Sequence, residues 1–181
     1  MSYPTKITRP DPRTLYNLFP PADDMPEFEL VPADEVPSPY RELLVHEHHM
    51  TVTVERHHGS LVDVRILDRR HEQDRYARKI LLTRQSDGRV VQFGIMRVHL
   101  NYCSEAVRQE IVAGQTPLGR ILIRHDVLRR IEPTAFLRVI TSRAMMEWFG
   151  LNRPRLTYGR LAFIHCDDRS AVELLEIVAP E

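Results

Sequence analysis

The chain has 181 residues, the size of one domain or of one domain with a tail, and is 43% hydrophobic and 28% charged, an ordinary globular balance. Its 25 basic and 25 acidic residues give a net charge of zero, which argues against a nucleic-acid binder. No apolar run reaches the ~20 residues of a membrane span, the N-terminus lacks a signal-peptide pattern, and Cys103 and Cys166 form no CxxC, so neither a disulfide framework nor a zinc-finger site is indicated. A cytoplasmic enzyme or binding domain is expected.

Residues 1–40 hold nine of the 13 prolines around an acidic stretch, Asp23, Asp24, Glu27 and Glu29. Proline removes backbone donors and breaks periodicity. This segment reads as an extended arm that packs loosely or wraps the domain, with one helical turn near Thr14–Leu18. It is too short and too proline-rich for a winged-helix DNA-binding domain. From residue 41 to 181 the texture is that of a folded domain. Arg41–Val45 and Met50–His57 read as helical and Leu61–Leu67 as a strand. Asp74–Thr83 and Arg89–Val98 flank Ser86-Asp87-Gly88, a hairpin signal. Ser104–Ala113 is an amphipathic helix with Gly114 where a C-cap glycine belongs. Thr116–Gly119 is a turn leading into Arg120–Ile123. Val127–Ile140 is a long strand, bulged near Pro133. Leu156–Cys166 and Ala171–Ala179 flank Asp167–Ser170 as a second hairpin. Hairpins outnumber helices, which predicts an α+β fold: a single antiparallel sheet of about six strands with helices packed on one face.

Alternation along a strand picks out charges on apolar faces. Tyr76, Arg78, Ile80 and Leu82 share a face, so Arg78 points into an apolar layer, and a buried guanidinium needs an anion because it cannot shed its charge. Val172, Leu174, Glu176 and Val178 share another. Two readings follow. In one, Arg78 and Glu176 form a buried structural ion pair, or one of them sits at the sheet rim. In the other, they line a small cavity, with Arg78 on a ligand carboxylate and Glu176 on a hydroxyl or a proton. Arg138, beside Phe136 and Ile140, shows the same pattern. All basic residues except Lys6 and Lys79 are arginines. Genome composition explains such a bias, although forked guanidinium groups also suit carboxylate ligands.

At these residues the sequence resembles the chorismate lyase (chorismate–pyruvate lyase, 4-hydroxybenzoate synthase) family. Gly114-Gln115-Thr116-Pro117-Leu118-Gly119-Arg120-Ile121-Leu122 is similar to that family's Gly-x-Thr-Pro-Leu-Gly-Arg-x-Leu segment. Met50-Thr51, followed by Glu55, resembles its Met-Thr helix start. Arg75–Leu82 matches the strand whose substrate-binding arginine falls on Arg78. Leu174–Pro180 resembles the strand whose glutamate falls on Glu176. Better-known members have arginine where this chain has Ile95 and proline where it has His99. The resemblance implies a chorismate lyase-like domain over 41–181 and a solvent-shielded site touched by Met50, Arg78, Leu118 (through backbone) and Glu176. It implies a lyase that converts chorismate to 4-hydroxybenzoate and pyruvate on the way to quinones or other phenolic products. Aromatisation drives that reaction, so no cofactor or metal is expected, and Arg78 and Glu176 would be the catalytic pair. The same fold also serves as the effector-binding domain of bacterial transcription regulators. A non-catalytic small-carboxylate-binding domain is therefore the alternative, as is a lyase for a related enolpyruvyl or aromatic acid. The absence of a DNA-binding module among these residues favours the enzyme. Partners are expected to be chorismate and 4-hydroxybenzoate, with no nucleic acid and no membrane; the oligomeric state is not legible.

Other residues invite chemistry less. His46, His48 and His49 offer no i, i+4 pair on a helix, so they read as structural or solvated. His57, His58 and His71 read as exposed, and His165, beside Leu161 and Phe163, as a satisfied core histidine. Cys103 and Cys166 read as small buried hydrophobes.

Overall fold

The computed structural model describes residues 9–21 and 24–181; the rest of the proline-rich arm lies outside the described residues. Seven strands form one sheet. They are β1 (Glu27–Val31), β2 (Val62–Glu72), β3 (Arg75–Arg84), β4 (Val90–His99), β5 (Arg129–Ile140), β6 (Leu156–Cys166) and β7 (Arg169–Val178). Their order is β1-β5-β6-β7-β4-β3-β2, antiparallel throughout. The α+β class and the single antiparallel sheet are as the sequence predicts.

The turns follow local chemistry. Gly88 takes φ +72° between β3 and β4, and Asp167 and Asp168 both take positive φ (49° and 61°) in the two-residue β6–β7 turn, the geometry that matches strand twist. β5 shifts register between Pro133 and Ala135, where proline cannot donate to the ladder.

One face of the sheet is covered by α2 (Tyr40–Leu44), α3 (Met50–His58), α4 (Glu105–Ala113) and α5 (Leu118–Arg124). Ser104 Oγ caps α4 by accepting from Val107 N, and Gly114 ends it at φ +73°. Glu55 on α3 accepts from the Arg120 guanidinium on α5 and from Val62 N at 3.0 Å, joining the two helices to the start of β2.

Two features depart from the predicted six or so strands with helices on one face. The arm supplies α1 (Pro12–Tyr16) and the seventh strand, β1, which pairs with β5. Moreover, α1 and α6 (Arg143–Phe149) cover the opposite face, so helices lie on both sides. Leu15 on α1 is 0% exposed, Phe19 lies in the same cluster, and Asp24 Oδ2 accepts from Ser142 Oγ and Ala144 N, both at 2.9 Å, at the start of α6. A buried leucine or phenylalanine contributes roughly 1.5–3 kcal/mol, so the described part of the arm is packed core and not a loose wrapping.

Candidate functional site

Cross-strand partners in an antiparallel sheet share a face. One row across the sheet runs Ile80–Gly94–Glu176–Arg160, and the next runs Arg78–Met96–Leu174–Ala162. On the other side of the Gly94 row, Leu82, Gln92 and Val178 are partners. All these rows face α3 and α5. Gly94 carries no side chain, so the floor is lowest between Arg78, Glu176 and Gln92. The roof is His49, Met50 and Thr51 at the start of α3 and Pro117, Leu118 and Gly119 at the start of α5. Between floor and roof is a cavity of about 50 Å³, several times the ~10–15 Å³ that a water occupies on that measure.

The structure brings all four expected site residues, Met50, Arg78, Leu118 and Glu176, to this one cavity. The predicted alternative of an Arg78–Glu176 ion pair is not what forms. Glu176 pairs instead with Arg160, which donates through Nε to Glu176 Oε2 at 2.7 Å. Arg160 is 1% exposed and fully engaged: Nη1 donates to His46 O at 2.9 Å and Leu44 O at 3.4 Å, and Nη2 to His48 O at 3.1 Å. These carbonyls belong to the last residue of α2 and to the link between α2 and α3, where a helix end leaves acceptors without intrahelical partners. Arg160 therefore fixes both the floor glutamate and the segment from which the roof begins. The hydrogen bond from Arg160 uses Oε2, and the other carboxylate oxygen of Glu176, Oε1, has no protein donor among the described residues.

Arg78 is in the opposite condition. It is 2% exposed, and its Nη2 donates to Thr116 O at 3.3 Å. Its Nε and Nη1 are buried without a partner. Burial pulls this guanidinium below its ordinary pKa. Thr116 precedes Pro117 in the segment that resembles the lyase motif, so that segment's backbone positions the free arginine. Arg138, the third charge on an apolar strand face, lies exposed on β5 and pairs with Glu29 of the edge strand β1 at 2.8 Å.

Among the lining residues that the sequence analysis did not assign to the site are Arg160, Gln92 and His49. Arg160 carries the same signal as Arg78, since Tyr158, Arg160, Ala162 and Ile164 alternate onto one face. Gln92, 3% exposed with its Oε1 unpartnered, sits between Val90 and Gly94 on a similar face. His49 is buried, and its Nε2 accepts from Arg129 Nε at 2.6 Å. Burial first, then Arg129 and Arg160, lower its pKa to about 4. His46 also falls to about 4, from burial and then Arg160. Burial and the neighbouring arginines thus favour the neutral ring at both positions. His165 is held by Glu132 Oε2 at 2.6 Å and Ser170 Oγ at 3.0 Å, away from the cavity. Burial pushes the Cys166 thiol up to about 12, which makes it a poor nucleophile, and raises Cys103 too.

No protein-family model matches the chain, and no curated protein does. Solved structures match it at low identity. PhnF from Mycobacterium smegmatis is 10% identical with a TM-score of 0.53, over 75% of this chain and 65% of that one. The ligand-binding domain of a protein assigned to the GntR family of transcriptional regulators, from Bordetella bronchiseptica, is 12% identical with a TM-score of 0.49, over 65% of this chain and 85% of that one. Identities this low show a shared fold and nothing finer. No helix among the described residues is long and apolar enough to cross a membrane.

Proposed function

We propose that the cavity between the sheet and helices α3 and α5 binds a small carboxylic acid, with the carboxylate against Arg78. The observation that carries this reading is the Arg78 guanidinium, almost wholly buried with two of its nitrogens unpartnered. A buried donor left unmade costs about 1–3 kcal/mol and more when charged, and an anionic ligand removes that cost. A carboxylate can take both nitrogens in bidentate fashion. Glu176, oriented by Arg160, accepts a hydroxyl at the other end of the ligand through Oε1.

The lyase reading adds one step to this binding. It is supported by the motif-like segments at 75–82, 114–122 and 174–180, which converge on the cavity. With chorismate bound, the C4–H bond breaks and its electron pair forms the ring double bond. The C3–O bond breaks in the same aromatisation, and the departing enolpyruvate takes up a proton to become pyruvate. In this reading the protein's part is to hold the dianion and exclude water.

Incubation of purified protein with chorismate, against no-protein and Arg78→Ala controls, tests both. Equal amounts of 4-hydroxybenzoate and pyruvate, lost in the variant, establish the lyase. No product, but thermal stabilisation by 4-hydroxybenzoate that Arg78→Ala abolishes, establishes a non-catalytic binding domain. Neither product nor stabilisation overturns the carboxylate site.

A further inference from the structure

Among the described residues that line the cavity, two keep buried side-chain polar atoms without a partner: Arg78 and Gln92. Arg78 answers to a carboxylate; nothing so far accounts for Gln92. Its side chain is 3% exposed, yet its carbonyl Oε1 accepts no hydrogen bond. A buried amide oxygen left unpaired in a strand of Val90, Val91 and Phe93 is costly. Leucine or valine there would be the cheaper choice for a core.

The register places this amide. Gln92 is four residues along β4 from Met96, the cross-strand partner of Arg78, or about 13 Å at the strand rise. Arg78 and Gln92 thus lie toward opposite ends of the slot over Gly94. Gln92 is paired with Val178 and is diagonal to Glu176, a relation that puts two residues roughly 7–8 Å apart with side chains leaning over the same space. A ring acid anchored at Arg78 therefore meets two acceptors side by side at its far end, Glu176 and Gln92. Two adjacent acceptors match two adjacent donors.

We infer that Gln92 is a specificity residue that accepts a hydroxyl next to the one taken by Glu176. The preferred ligands are then ring acids with oxygen substituents at two neighbouring positions away from the carboxylate. This rests on the carboxylate site proposed for Arg78 and goes beyond it by assigning the second substituent.

Calorimetric titration with benzoate, 4-hydroxybenzoate and 3,4-dihydroxybenzoate tests it, using the native chain, Gln92→Leu and Arg78→Ala. The native chain is expected to bind the dihydroxy acid about 3- to 10-fold more tightly than the monohydroxy acid, the worth of one added hydrogen bond. Gln92→Leu should erase that preference, bringing the ratio of the two affinities to about one. The same variant without ligand should melt about 2–4 °C higher, because it removes an unpaired buried amide. A preference equal in native chain and variant, or absent from the native chain, overturns the inference and leaves the carboxylate site standing. A lowered melting temperature for Gln92→Leu overturns it as well, since Gln92 would then be structural. Binding of all three acids that is indifferent to Arg78→Ala, or binding of none, overturns the carboxylate site and this inference with it.

Discussion

Arg160 Nε donates to Glu176 Oε2 at 2.7 Å across the β6–β7 ladder, and the rest of the same guanidinium holds the carbonyls of Leu44, His46 and His48. One side chain therefore couples the cavity floor to the segment that launches α3. Breaking a buried pair by removing one partner costs about 3–5 kcal/mol, since a charge is left uncompensated. Arg160→Met should lose stability on that scale and should also bind acids poorly, because His49 and Met50 lose their support. Glu176→Gln keeps an acceptor for Arg160 Nε and should lose less. Urea unfolding of both variants gives the comparison, and an Arg160→Met midpoint equal to that of the native chain would refute the role assigned to Arg160.

Arg78 should behave differently, although it is as deeply buried. Among the described residues its guanidinium donates one hydrogen bond, to Thr116 O at 3.3 Å, and the Tyr76 side chain lies beside it. Arg78→Met removes unpaired donors and keeps most of the volume. The unliganded variant should be as stable as the native chain or more so, by up to about 1–3 kcal/mol, while the thermal shift given by 4-hydroxybenzoate disappears. A strong loss of stability without ligand would instead make Arg78 a structural residue.

Much of this was legible in the chain because it depends on local chemistry. Ser104 and Gly114 bracket α4, and Ser86-Asp87-Gly88 and Asp167-Asp168 mark hairpins that the structure contains. Strand alternation was enough to put Arg78 and Glu176 each on an apolar strand face, and only the family resemblance implied that the two share a site. It did not give their partners, since Arg160 and Glu176 lie 16 positions apart and meet only through the β6–β7 register. β1 and α6 were not predicted. β1 is a five-residue edge strand among prolines, and α6 has seven residues, too short for a periodic signal, although its cap residues Ser142 and Gly150 were visible. The second helical face follows from tertiary packing of the arm, which no local pattern encodes.

Gly119, in the motif-like segment, is required by close approach and not by backbone conformation. A Cβ there would lie 2.9 Å from His49 Cβ and 3.1 Å from Thr51 Oγ1. Helix α5 thus touches the start of α3 at the cavity roof. Gly119→Ala must push His49 and Thr51 aside, an overpacking worth about 1–3 kcal/mol, and it should weaken acid binding as the roof shifts. Melting temperature and 4-hydroxybenzoate affinity should fall together; an alanine variant with native affinity would show that the roof does not set the site.

His46 and His49, both at about 4, make stability depend on pH. Their folded-state values lie below the ordinary 6.5, so between pH 6.5 and 4 the unfolded chain binds protons that the folded chain refuses. Stability should therefore fall as pH drops through this window and be insensitive to these two groups above it. Glu110 and Glu132, whose carboxyls are lowered by His125 and His165, lose their stabilising contribution as pH falls below the ordinary 4.5. Urea midpoints taken from pH 7.5 down to 5 isolate the histidines. His49→Gln keeps a carbonyl oxygen to accept from Arg129 Nε and removes one titrating group, so it should flatten the slope, and His46→Gln should flatten it again. Equal slopes in all three proteins would mean that neither ring is held neutral by its burial and its arginine neighbours.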